Sequence, residues 1–232
     1  MAYFLLFMVP GLALSLWASF LVKSRFKKYS RVPASSGLSG AQAAARMLQA
    51  AGIPDVGIER IGGMLSDHYD PSKRVLRLSP DVYDGKSLSA LGVACHEAGH
   101  ALQHARGYTP LYIRTALVPL ASFGSNAGVW MMILGGGLYA VQEISFVALI
   151  GFGLFLSGVL FSLVTLPVEF NASSRAKAQL SQLGMTAGPE EDAAISKVLN
   201  AAALTYVAAA AIAILQMLYW AHVLGLLGGR DE

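Results

Sequence analysis

The sequence predicts a mainly α-helical integral membrane protein, with about four transmembrane helices and a small α+β unit outside the bilayer. Three observations carry this reading. Hydrophobic residues make up 55% of the 232 residues and charged residues only 13%, whereas soluble domains are typically about a quarter charged. The mean hydropathy is +0.53. Four stretches, residues 3–22, 117–141, 144–168 and 204–227, are apolar over the roughly 20 residues that a helix needs to cross a bilayer.

None of the four stretches contains Asp, Glu, Lys or Arg, and His222 near the end of the last reads as an interfacial side chain. The first stretch is followed, not preceded, by its charges: Lys23, Arg25, Lys27, Lys28 and Arg31. That order fits a retained anchor and not a cleaved signal peptide. Residues 23–116 hold 13 of the 17 Lys and Arg residues, and residues 167–203 hold three more. Four spans place both segments on one face, which the positive-inside rule makes cytoplasmic. The net charge of +3 is therefore a topology signal, and no nucleic-acid partner is expected. The organisation that follows is an anchor at 1–22, a cytoplasmic segment at 23–116, a membrane hairpin at 117–168, a second cytoplasmic segment at 169–203, and a last span with its tail at 204–232.

Within the first cytoplasmic segment, residues 32–37 read as a short linker. Ser39 with Gln42 forms a capping box for an Ala-rich helix over 41–51, which Gly52 ends. Residues 56–60 are a candidate strand. The run 67–73 is rich in turn residues, and Asp67 and Asp70 read as backbone-binding turn residues. Residues 74–79 alternate with period two, as a half-buried strand does. Ser87 or Ser89 caps a helix through about residue 105, closed by Gly107. The sum is a β-hairpin against a helix.

That helix carries His96-Glu97-Ala98-Gly99-His100. Histidines four apart share one helix face and can hold one zinc ion. Glu97 can then act as the general base on a water that the metal acidifies. Three such groups among Val, Ala, Cys and Leu are costly to bury unless something pairs them, and a metal does. Cys95 is the single cysteine of the chain, and it reads as a small packing residue.

A catalytic zinc takes three protein ligands and keeps one open position. Glu143 falls on the opposite face of the membrane by the topology above. His104, eight residues after His96, is nearly one turn too far and reads as a rim group. Glu169 is favoured because it emerges from the third span on the same face as the histidines and starts the helical run 169–176. His68 is the alternative. Ser173 lies on the Glu169 helix and is placed to hydrogen-bond a ligand. Glu190, Glu191 and Asp192 follow Gly188-Pro189 and read as N-terminal helix acids.

The run Cys-His-Glu-Ala-Gly-His-Ala-Leu-Gln at 95–103, with Leu-Ser-Asp-His-Tyr-Asp-Pro at 65–71, resembles the YugP-type neutral zinc metallopeptidases of bacterial membranes. The likeness extends over most of the chain. The layout is more distantly similar to membrane gluzincins of the CaaX-protease and HtpX type, whose third ligand is a Glu in a Glu-x-x-Ala-Asp pattern. Here the pattern is Glu169-Phe170-Asn171-Ala172-Ser173, so Ser173 stands where that clan has an acid. The resemblance implies a zincin-like catalytic unit, one Zn2+ per chain, His96, His100 and Glu169 as ligands, and Glu97 as base. It also implies a multi-pass protein of the bacterial inner membrane with its active site facing the cytoplasm.

The expected partners are the lipid bilayer and a peptide or membrane-protein substrate. Metallopeptidases of this kind bind substrate as an added strand, and residues 74–79 or 62–66 are candidates for the sheet edge. His68, Tyr69, Arg114 and Arg175 are candidate oxyanion donors. Two other functions compete. In an intramembrane protease the motif helix would itself be a span, which its polar flanks at 84–87 and 106–107 oppose. A metal-binding or scaffold protein whose protease chemistry has lapsed draws support from Ser173 but leaves Glu97 without a use.

Overall fold

The computed structural model describes residues 2–137 and 146–227. In chain order it contains α1 (Ala2–Tyr29), α2 (Gly40–Ala50), β1 (Gly57–Arg60), β2 (His68–Asp70), β3 (Val75–Leu78), α3 (Pro80–Tyr83), α4 (Leu88–Ala105), α5 (Thr109–Gly137), α6 (Phe146–Gln182) and α7 (Pro189–Val223). The chain is mostly helical, with one small sheet. Four helices are long and apolar enough to cross a membrane: Leu5–Tyr29, Thr109–Gly135, Phe146–Gln182 and Pro189–Val223. The chain divides into two compact units. One comprises the described parts of 1–17, 112–166 and 206–232, and the other comprises 18–111 and 167–205.

The apolar unit turns large side chains outward. Leu12, Leu16, Trp17, Phe123, Trp130 and Phe146 are all exposed, as suits surfaces that meet lipid. Small residues lie inside. A Cβ at Gly128 would stand 2.5 Å from the Gly151 carbonyl, and one at Gly135 would stand 2.8 Å from the Ala148 nitrogen. Backbones of α5 and α6 can approach this closely only where side chains are missing. Met132, Phe155, Val159 and Leu224 fill the remaining space.

The second unit is built on an aliphatic core from α2, β3, α4 and the ends of α6 and α7. Met47, Leu48, Leu76, Leu78, Leu91, Leu102, Leu180, Ile195 and Leu199 are its large members. The capping box at Ser39 and Gln42 forms as expected. The sheet has the order β1-β3-β2, with β1 parallel and β2 antiparallel to β3. The segment read as turn-rich thus contains a strand, β2. The tight connection to β3 comes from Asp70, whose Oδ1 accepts the backbone N–H groups of Ser72 and Lys73 at 3.0 and 3.1 Å. Arg74 supports it with a left-handed φ of 50°.

Other expectations change too. β3 is the central strand, paired on both sides, so residues 74–79 offer no free edge; the edges are β1 and β2. Glu169 does not start a helix. It lies inside the continuous 37-residue α6, which passes Pro167 without a break. Likewise α7 runs unbroken from Pro189 into the last apolar stretch. Residues 32–37 are pinned and do not behave as a loose linker. Ala34 N–H donates to Lys86 O at 2.9 Å, and Ser35 donates from N and Oγ to Glu191 at 3.0 and 2.9 Å. Glu190, Glu191 and Asp192 do occupy the first turn of α7. The hairpin turn with Glu143, and Arg230 in the tail, lie outside the described residues.

Candidate metal centre

α4 begins at Ser87, whose Oγ accepts the Ala90 N–H at 3.2 Å, and ends before Gly107, which takes a left-handed φ of 65°. Between these ends the 3.6-residue period brings His96 and His100 onto one face. Their rings sit 4.8 Å apart and nearly perpendicular. α6 passes against this face because α4 has a glycine there: a Cβ at Gly99 would lie 2.6 Å from the Ala172 carbonyl oxygen.

That close approach brings Glu169 to the histidines. Its Oε2 lies 3.2 Å from His96 Nε2 and 3.5 Å from His100 Nε2. One ligand atom from each of the three residues falls within 4.8 Å of the other two, and all three residues are buried. Ligand atoms that share one tetrahedral zinc at about 2.0–2.2 Å lie roughly 3.3–3.6 Å apart. The two distances to Glu169 match that spacing, and two imidazoles with one carboxylate are a donor set that zinc accepts. The residues present therefore fit the ion.

Burial works against charge on His100, but the hydrogen bond and charge of Glu169, with a further contribution from Glu97, outweigh it and raise the His100 pKa. Glu97 itself is 8% exposed, and no hydrogen bond or ion pair occupies its carboxylate among the described residues.

The other residues singled out from the sequence are spread around this centre. Ser173 Oγ lies 3.0 Å from His96 Nδ1, on the far side of the ring from Glu169. His104 Nδ1 lies 2.8 Å from the Tyr69 hydroxyl on β2. His68 is exposed; its Nδ1 donates to Ser66 O at 2.9 Å, and it stands outside the group of three. Arg175 donates from Nε to Asn171 Oδ1 at 2.7 Å and lies over the Tyr108 ring. Arg114 belongs to the apolar unit, where it lies over Phe161.

Asp70 holds its own turn and also pairs with Arg77 at 2.8 Å, which keeps its carboxyl below the usual range. Asp67 is not a local turn residue: it accepts from Ser79 N and Oγ at 2.7 and 2.9 Å and joins the ends of two strands. Burial raises its pKa against those donors. Cys95 is fully buried, and burial alone pushes its thiol up to about 12, so it packs and does not react.

Sequence reasoning missed Gln103 and Asn171. Gln103 is completely buried and touches His100. A polar residue three positions after the second histidine shares its helix face, and that was the available signal.

A family model described as "Putative neutral zinc metallopeptidase" matches residues 4–225. The chain belongs to that family. It is 48% identical, over 231 residues and 99% of both chains, to a protein named "Putative membrane protease YugP" from Bacillus subtilis (strain 168). No solved structure matches the chain. The family's zinc agrees with the donor set of His96, His100 and Glu169, and the relative's membrane assignment agrees with the four long apolar helices.

Proposed function

We propose that this protein is a membrane-anchored zinc endopeptidase that cuts peptides or membrane proteins beside the cytoplasmic face of the bacterial inner membrane. One observation carries the reading: His96, His100 and Glu169 converge beside a buried Glu97 whose charge acts on His100. In this reading His96 Nε2, His100 Nε2 and Glu169 Oε2 hold one Zn2+, which supplies Lewis acidity for the attack of water on a peptide carbonyl.

Glu97 accepts a proton from the attacking water while the water oxygen bonds to the scissile carbonyl carbon. The C–N bond then breaks, and Glu97 returns the proton to the leaving amine nitrogen. The α4 backbone fixes Glu97 one residue after His96, so base and ligand keep a constant separation. The edge of β2 is the suggested track for the substrate chain. It is an edge strand of the described sheet, and its Tyr69 reaches His104, one turn beyond His100 on the motif helix.

The gluzincin arrangement, two histidines of one helix with a Glu from a later one, is part of this proposal. So is the cytoplasmic face, which rests on the 16 of 17 basic residues on one side of the four-span topology. α6 supports cleavage at the surface over cleavage within the membrane. From Phe146 to Glu169 the helix rises about 35 Å, slightly more than the roughly 30 Å hydrocarbon layer. A span that starts near Phe146 has left the hydrocarbon by Glu169.

The test compares wild type, Glu97→Gln and Glu169→Ala, each purified in detergent, for bound zinc and for hydrolysis of a fluorogenic casein. Wild type should carry one zinc per chain. Glu97→Gln should keep the metal and lose about 100-fold or more in rate, and Glu169→Ala should lose most of the metal. A fully active Glu97→Gln variant would remove the mechanism. Wild type free of metal after zinc-replete purification would favour a lapsed scaffold.

A further inference from the structure

Both N–H groups and the oxygen of the Gln103 side-chain amide are engaged, and the direction of each bond is determined. Its Nε2 lies 2.8 Å from the backbone carbonyl oxygen of Val168. A carbonyl can only accept, so this end of the amide must be the NH2 group. Its Oε1 therefore faces His100 Nδ1, at 3.0 Å. An amide oxygen can only accept, so Nδ1 must carry the proton. The Nε2 of a neutral His100 is then left with its lone pair, on the side where Glu169 Oε2 lies at 3.5 Å.

The second Nε2 hydrogen goes to Asn171 Oδ1 at 3.0 Å. That oxygen is oriented in turn by Arg175 Nε, an obligate donor, at 2.7 Å. Arg175 Nε and Gln103 Nε2 thus both donate to Asn171 Oδ1, and Gln103 Oε1 accepts from His100 Nδ1. Ser173, in the matching place beside His96, imposes no such direction, because a hydroxyl can donate or accept.

We propose that Gln103 is a positioning residue for the metal centre: it locks His100 in the Nδ1-protonated form, with Nε2 free to ligate, and fastens α4 to the α6 backbone one residue before Glu169. This rests on the reading of His96, His100 and Glu169 as a metal site. One amide thus sets the tautomer of a ligand on one helix and the position of the helix that carries the third. Partners of this kind typically govern roughly 10- to 100-fold of metal affinity.

The test uses the full chain in detergent, titrated with Zn2+ against a chelator and with Co2+ for its visible spectrum. Gln103→Met keeps the volume and removes every hydrogen bond; it should bind zinc roughly 10- to 100-fold more weakly and change the cobalt spectrum. Gln103→Glu keeps an acceptor for His100 Nδ1 and disturbs the link to Val168. It should retain the wild-type cobalt spectrum and most of the zinc affinity while lowering the melting temperature. The proposal is overturned if Gln103→Met binds zinc as tightly as wild type. It is equally overturned if Gln103→Glu loses as much affinity as Gln103→Met, since ring orientation would then not be the operative effect. If Gln103→Met does not fold, the comparison of Gln103→Glu with wild type decides. Wild type that binds neither metal would instead refute the metal-site reading itself.

Discussion

The two units of this molecule hold their helices together by opposite means. In the apolar unit α5 and α6 meet backbone to backbone at Gly128, Gly135 and Gly151, and the large apolar side chains point away. In the other unit, large aliphatic side chains such as Leu76, Leu91 and Leu102 interlock in the centre. The reason lies in the solvent. Lipid is as apolar as leucine, so burying leucine there gains little, and close backbone contact supplies the attraction. In water the same burial is worth about 1.5–3 kcal/mol per side chain.

The second unit uses the membrane-style device as well, at Gly40 against the Val82 and Ala90 carbonyls and at Gly99 against Ala172, where His96, His100 and Glu169 converge. Close approach there serves geometry more than cohesion. The difference can be broken at three places. Gly99→Val should have the largest effect. The new side chain meets a backbone carbonyl that cannot rotate away, so α4 and α6 must part and Glu169 must leave the histidines. Zinc titration should show affinity reduced by about tenfold or more, and unchanged zinc binding would mean that this contact does not set the site.

Leu91→Ala should come next. Leu91 is fully buried in the aliphatic core, and its loss should cost about 2–5 kcal/mol of stability, read as a lower melting temperature in detergent. Retained melting behaviour would show that the core is not what holds this unit. Gly128→Ala should be the mildest, at about 1–3 kcal/mol, because one methyl group forces a small separation of α5 and α6. Its effect should appear in the resistance of the apolar unit to denaturation, with the zinc content of the chain unchanged. A loss of zinc would contradict the division of labour between the two units.

Much of the architecture was legible from the chain. Apolar length marked the four long helices, because a bilayer imposes a length on whatever crosses it. Ser39, and Ser87 or Ser89, marked the starts of α2 and α4, because an exposed helix end needs local donors and acceptors; the cap of α4 is Ser87. The His96 and His100 pair was legible for the same local reason: a four-residue spacing fixes a shared face once the segment is helical. The element least legible was β2. Its three residues carry turn formers, and it is a strand only because β3 pairs with it through the Asp70 turn.

What the sequence by itself determined is local: which long segments are helices and which helix face carries the histidines. Glu169 could be named from the chain only as a candidate, alongside His68. The tertiary structure decided which of the two comes within 3.5 Å of the histidines, because that depends on α6 continuing unbroken past Pro167 and on Gly99 admitting its backbone. It also decided the contacts of Gln103, whose partners His100, Val168 and Asn171 lie on two helices. No spacing along one chain encodes a hydrogen bond between elements 65 residues apart; only their packing does.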